Sequence, residues 1–200
     1  MYGIVLPGPN VQEGVPIVKG GDVAPERLNL QRLCRTTYEI EAGYTRSRLR
    51  PNDLVYAIRG SIGEVAMVPG ELEGANLTQD VARVSYIDEI YGPWLLFTLR
   101  SRAVFSQLEA GALGATIKGI NIRDLKRAII PVPPLEEQKE IANYLTSHSV
   151  TFDMLESSIQ EGLLRLREYR TALISAAVTG EIDVRGERLP EKYTHFSGEG

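Results

Sequence analysis

The chain has 200 residues, 43% of them hydrophobic, with 22 Lys+Arg against 26 Asp+Glu for a net charge of −4. That length suits one packed domain plus an appendage, and no run nears the roughly 20 apolar residues of a membrane span. The single Cys34 excludes an internal disulfide, and with only His148 and His195 beside it there is no zinc-ligand pattern.

The first residues, MYGIVLPGPN, lack a basic region followed by an apolar core, so no signal peptide is expected and the expected compartment is cytoplasmic. Val15–Val18 is a short apolar run closed by Gly20-Gly21-Asp22, which reads as a strand entering a turn. Arg27–Thr37 is mixed and reads as loop with a strand or a helical turn. Asp53–Arg59 alternates and is rich in β formers. Gly60-Ser61-Ile62-Gly63 follows, then Glu64–Val68, which together predict a hairpin. Ala75–Asp80 leads into a further strand over Val81–Tyr86. Tyr91–Glu109 groups Trp94, Leu95, Phe97, Thr98, Phe105 and Leu108 on one side, as one helix would, with Gly111 ending it. Asn121 is a candidate N-cap for a short helix through Arg127, and Ile129–Val132 is an extended exit. The class is α+β, with a mixed, partly antiparallel sheet in residues 1–130.

Residues 131–185 read differently. Pro133 and Pro134 suit the edge of a helix, where a missing N–H costs nothing. Glu136 and Glu137 complement the positive end of its dipole. The pattern predicts a helix from Leu135 to Val178, about 66 Å long at about 1.5 Å per residue, with Gly180 as its stop. Ile141, Leu145, His148, Phe152, Leu155, Ile159, Gly162, Leu166, Tyr169, Leu173 and Ala176 alternate by four and three, a 3.5-residue period that marks a coiled coil. Leu163 and Ala177 widen this stripe on one flank. His148 reads as a register-setting or solvent-edge position, and Gly162 leaves a hole costing about 1 kcal/mol against alanine. One helix cannot bury its own stripe, so the expected partner is another copy or another protein. Residues 186–200 read as a frayed tail.

Charge is unevenly spread. Residues 1–134 hold 15 basic and 14 acidic side chains, residues 135–200 hold 7 and 12. The acidity therefore belongs to the helix and tail. Between residues 19 and 50, Lys19, Arg27, Arg32, Arg35, Arg46, Arg48 and Arg50 face only Asp22, Glu26, Glu39 and Glu41, a local balance compatible with nucleic acid. Catalytic signatures are missing. No nucleophile–base–acid set can be assembled, and there is neither a Walker loop nor a GxGxxG. Gly60-Ser-Ile-Gly63 superficially matches the GxxG of KH domains, but its flanks read as strands rather than helices.

Three segments in this order carry a resemblance: Gly114-Ala-Thr-Ile-Lys-Gly-Ile-Asn-Ile-Arg-Asp-Leu125, Ile130-Pro-Val-Pro-Pro-Leu-Glu-Glu-Gln138 and Tyr169-Arg-Thr-Ala-Leu-Ile-Ser-Ala-Ala-Val-Thr-Gly-Glu-Ile-Asp-Val-Arg185. Together they resemble the specificity subunits of type I restriction–modification systems. Gly60-Ser-Ile-Gly63 and Asn76-Leu-Thr-Gln79 are similar to patterns in that family's target recognition domains. The resemblance implies a non-catalytic DNA-binding subunit in which each recognition domain reads half of a bipartite site on double-stranded DNA. Long helices, packed antiparallel, hold the domains apart. Methyltransferase subunits bring S-adenosylmethionine and the modification chemistry, and a restriction subunit cleaves; no cofactor is expected on the specificity chain.

This sequence departs from the pattern by holding one recognition domain and one helix. It also opens directly at Tyr2-Gly3-Ile4, where the family usually has a further strand or helix upstream, as a truncated or unusually started chain would. The expectation is a half-subunit that pairs with its own second copy through Ile141, Leu145, Phe152, Leu155, Ile159, Leu166, Tyr169 and Leu173.

Side chains with paired donors or acceptors on loops are the natural DNA ligands. By that test the candidates are Lys19, Arg46, Arg48, Arg59, Ser61, Asn76, Thr78, Gln79 and Lys118, with glycines 20, 21, 60 and 63 allowing close backbone approach. Arg165, Arg167 and Arg170 read as solvated flanks of the helix. The competing reading is a coiled-coil adaptor with a protein-binding α/β head and no DNA role.

Overall fold

The computed structural model describes residues 3–112 and 119–186. They form strands β1 (Val15–Val18), β2 (Cys34–Thr36), β3 (Leu54–Ala57), β4 (Val65–Met67), β5 (Asn76–Leu77) and β6 (Val81–Val84), and helices α1 (Tyr38–Ala42), α2 (Gly92–Arg100), α3 (Arg102–Ala112), α4 (Ile122–Leu125) and α5 (Leu135–Thr179). The chain divides into two compact units, residues 1–146 and 147–200. The class is α+β, as the pattern predicts.

Two three-stranded sheets build the head. In the first, β1 pairs antiparallel with β2 and parallel with β5. In the second, β3 lies between β4 and β6, antiparallel to both. The predicted hairpin is therefore β3–β4, closed through Gly60–Gly63. All four β3 residues are buried, because the strand has a core on each face. Val55 and Ala57 join Val18, Val68, Leu72, Leu77 and Val81 between the sheets. Leu54 and Tyr56 point the other way, onto Trp94, Leu95, Leu99, Val104 and Leu108 of α2 and α3. A period of two on a doubly covered strand yields apolar residues throughout.

Three elements differ from the expectation. The single helix expected over Tyr91–Glu109 is two helices, broken at Ser101. Ser101 leaves the helical region at ψ 146 and its Oγ accepts from Val104 N at 3.3 Å, so it ends α2 and caps α3. Helix α1 lies just past the Arg27–Thr37 stretch, where no element is expected from the sequence; Thr37 caps it by accepting from Ile40 N. The third is β5, two residues long, read as part of a lead-in to β6. The short helix near Asn121 forms as expected, with Asn121 accepting from Arg123 N at 2.8 Å.

Helix α5 runs one residue beyond the predicted stretch, and Gly180 follows it at φ +79, a left-handed stop that suits glycine. Its first turns are tied to the head. Gln138 is fully buried, Ala142 nearly so. Gln138 Nε2 donates to Glu89 O at 3.0 Å and Pro133 O at 2.9 Å, while its Oε1 accepts from Tyr91 N at 2.8 Å. Three backbone groups with no ladder partner are thereby satisfied by one amide. Residues 187–200 of the expected tail lie outside the described residues.

Candidate nucleic-acid interface

Where β1, β3 and β5 end, three loops meet. The Gly20 backbone sits so close to the Arg59 carbonyl that a Cβ on Gly20 would collide with it, and that Cβ would also lie 3.6 Å from Asp80. Both Ile58 N and Arg59 N donate to Asp80 O, at 2.9 and 3.1 Å. Gly119 joins the group: a Cβ there would lie 3.3 Å from Arg59 Cγ, and Ile120 N donates to Ile58 O at 2.9 Å. This junction gathers four of the sequence-predicted residues, Lys19, Arg59, Ser61 and Gln79, on neighbouring loop positions, each partly exposed.

Their side chains are held to different degrees. Arg59 Nη1 lies 3.8 Å from Asp80 Oδ1, with both side chains about two-fifths exposed. That pair is loose and screened by water, so it orients the guanidinium at little cost to its availability. Lys19 Nζ donates to Cys34 Sγ at 3.2 Å, a weak acceptor that an anion would outcompete. Gly60, at φ +74 and with open space where a Cβ would stand, leaves the hairpin tip bare for a close approach. Gly20 and Gly63 serve the protein instead, packing on Arg59 and Phe105. Asp80 was missed in the sequence, although a carboxylate following Gln79 is the natural neutraliser of an arginine on the adjacent strand.

The other candidates part from this group. Asn76 is fully buried. Its Nδ2 donates to Glu41 Oε1 and to Tyr44 O, both at 3.0 Å, and its Oδ1 accepts from Ser47 Oγ and Leu77 N. Every hydrogen-bonding position of the amide is spent inside the protein, which corrects the expectation of a base contact. Thr78 is corrected likewise: its side chain is buried, and its Oγ1 has no partner among the described residues. Arg48 donates from Nε and Nη2 to the two oxygens of buried Glu41, each at 2.7 Å. The Arg48 hydrogen bonds lower the Glu41 pKa, against the opposing effect of burial, with Asn76 adding to the lowering. Arg48 is thus committed to a structural carboxylate. Arg46 is exposed on the turn Thr45–Ser47, which Ser47 ties to Asn76 and β5 rather than to the loop junction. Lys118 lies outside the described residues, as do residues 114–117 of the first resembling segment.

A family described as the type I restriction modification DNA specificity domain matches residues 10–165. The chain belongs to this family. The match takes in both sheets, the loop junction and the first two-thirds of α5. The type I restriction enzyme EcoBI specificity subunit of Escherichia coli is 29% identical over 182 residues, covering 90% of this chain and 38% of that protein. Among solved structures, a chain from work on complex assembly and conformational transition of the type I R-M system matches with a TM-score of 0.65 at 22% identity, over 88% of this chain and 42% of its own. The HsdS subunit from Thermoanaerobacter tengcongensis matches with a TM-score of 0.59 at 20% identity, over 88% and 45%. These two likenesses establish the fold. This specificity-domain chain spans about two-fifths of the length of the relatives it matches.

In the second unit the specificity domain presents a bare stripe. Phe152, Leu155, Ile159, Leu166, Tyr169 and Leu173 of α5 are all exposed, Phe152 by 65% and Tyr169 by 67%. Arg165 pairs with Glu161 at 2.6 Å along the same helix, an exposed i,i+4 pair worth little. Among the described residues, no helix is long and apolar enough to cross a membrane.

Proposed function

We propose that this chain is a DNA-sequence specificity component of a type I restriction–modification complex, reading one half-site and pairing through α5. The match to the specificity-domain family over residues 10–165 carries the DNA reading. Lys19, Arg59, Ser61 and Gln79 are the reading residues: Arg59 and Lys19 suit guanine, and Gln79 suits adenine. Arg46 is left as a phosphate contact at most. The chain itself performs no chemistry. Methylation, with its S-adenosylmethionine, belongs to a methyltransferase subunit, and cleavage to a restriction subunit, in the cytoplasm.

The exposed stripe on α5 supports pairing with a second copy. Antiparallel alignment about a two-fold axis at Ile159 sets Leu145 against Leu173, His148 against Tyr169, Phe152 against Leu166 and Leu155 against Gly162, while Ile141, expected in the same stripe, packs against the core of the head. The hole left by Gly162 receives a leucine, as interdigitated packing requires. Isologous pairing closes on itself and leaves no stripe bare. Two identical heads then read an inverted repeat, and helix length sets the unread spacer. The 45 residues of α5 span about 68 Å, or two turns of DNA at about 34 Å.

A gel shift with random-sequence duplex, with and without the methyltransferase subunit, tests the reading. Binding in the presence of that subunit, with an inverted repeat enriched from the pool, is the expected outcome. Binding in neither case favours the adaptor, and turnover by the isolated chain would point to an enzyme instead. Light scattering at micromolar concentration is expected to give a dimer; a monomer overturns the pairing.

A further inference from the structure

We infer that Arg123, Lys126 and Arg127 form a clamp for the DNA phosphate backbone beside the reading loops. This inference rests on the proposed DNA reading and adds residues to it.

Local folding explains how three cations come to share one surface. Ile120 and Ile122 are buried in the core beneath the helices, and Leu125 packs against the same core. The Asn121 cap fixes the start of the turn. With those apolar positions turned inward, Arg123, Lys126 and Arg127 are left exposed. Together with Asn121 and Ile122 they line a surface concavity of about 370 Å³. That is ample for a phosphodiester group and its first waters, since a water's share of liquid is about 30 Å³.

Among the described residues, no carboxylate neutralises these charges. Several arginines elsewhere in the head are held, Arg48, Arg59 and Arg83 by a carboxylate and Arg35 and Arg100 by backbone carbonyls, while Arg32, Arg46, Arg50 and Arg102 are exposed singly at other positions. Among the described residues, Arg123, Lys126 and Arg127 have neither kind of partner, and their neighbour Asp124 pairs with none of them. Three like charges within five residues repel one another, and an extended anion removes that repulsion.

Position selects DNA over an acidic protein. Gly119 packs on Arg59 and Ile120 N is bonded to Ile58 O, so the turn grows directly out of the loop junction. Arg127 is eight residues from Gly119, within about 17 Å when the three steps before α4 rise about 3.3 Å each and the five that follow about 1.5 Å each. That distance corresponds to four or five phosphates at about 3.4 Å of axial rise per nucleotide. Contacts of this kind position the protein and carry no sequence information.

The test uses the full chain assembled with the methyltransferase subunit. Binding to random-sequence duplex, and to sequences enriched from it by the wild type, is followed by fluorescence anisotropy between 50 and 200 mM salt. For R123A/K126A/R127A, the slope of log affinity against log salt is expected to shrink by about 2.7, at about 0.9 per phosphate. The wild type then loses about 40-fold more affinity than the variant across that salt range. The enriched sequence is expected to stay the same, and R123K/R127K is expected to keep the wild-type slope. The single variants K126A and R127A, each losing about 0.9 of slope, repeat the test if the triple variant fails to fold. An unchanged slope overturns the clamp, as does an altered enriched sequence. An unchanged slope with loss of the methyltransferase subunit assigns the patch to an acidic protein surface instead. If the wild type enriches no sequence, the DNA reading fails first and the clamp with it, whereas enrichment with an unchanged slope leaves the reading standing.

Discussion

At the scale of residues, the head is organised by two buried polar groups that behave in opposite ways. Asn76 ties β5 to Glu41, Tyr44 and Ser47, and with Arg48 it keeps Glu41 ionised. Removing its amide leaves several buried groups unmatched, each costing about 1–3 kcal/mol. Asn76→Ala is expected to destabilise the head by about 2–4 kcal/mol in urea titrations. Because the folded-state pKa of Glu41 lies below its unfolded value, its contribution is present above about pH 4.3 and is lost as pH falls through the depressed folded value. Acid unfolding followed by circular dichroism should accordingly begin at higher pH in Arg48→Ala, which strips Glu41 of its main stabilising donor. Tyr56 is the contrary case. Its hydroxyl is buried with no partner among the described residues, and burial pushes the phenol up to about 12. A proton held in the folded state but released in the unfolded state above about pH 10 makes stability fall between pH 10 and 12. Tyr56→Phe is expected to be neutral or up to about 1 kcal/mol more stable at neutral pH, and to lose part of that alkaline slope. A clear destabilisation at pH 7 would mean that the hydroxyl does have a partner.

Elements show where periodicity suffices and where it does not. The long helix was legible because proline bounds one end, glycine the other, and a 3.5-residue stripe runs between. The β3–β4 hairpin was legible for a similar reason, a glycine-bounded tip between two β-rich runs. The break between α2 and α3 was not, since apolar spacing continues across it and a single serine hydroxyl redirects the chain. Gln138 was legible only as a letter in a resembling motif. Its role depends on Glu89 and Tyr91, nearly fifty positions away. Gln138→Ala leaves those part-buried groups without the amide, and is expected to cost about 1–2 kcal/mol. Chemical denaturation of the full chain, read by the fluorescence of Trp94, measures this; a loss under 1 kcal/mol would show that water replaces the amide.

For the whole molecule, the decisive property is the exposed apolar stripe of α5. Large exposed apolar patches mark association surfaces, and Ile159 sits where a two-fold axis would cross the proposed pair. Ile159→Glu sets two carboxylates face to face there and is expected to convert the dimer to monomers by light scattering. The thermal unfolding of the head should stay unchanged, because residue 159 lies in the second unit. A persisting dimer would place the association elsewhere.

Class, the long helix and family membership were determined by sequence alone, because each is written in short-range patterns: apolar periods, helix-bounding prolines and glycines, and ordered motifs. Which polar residues remain available to a ligand was decided only by tertiary structure. Arg48, Asn76 and Thr78 have the same chemistry on paper as Arg59 and Gln79. Burial and partner choice separate them, and both depend on strands meeting across tens of residues. The same packing turned Arg123, Lys126 and Arg127 outward beside the loops, a grouping set by which neighbours the apolar positions of that turn had to bury.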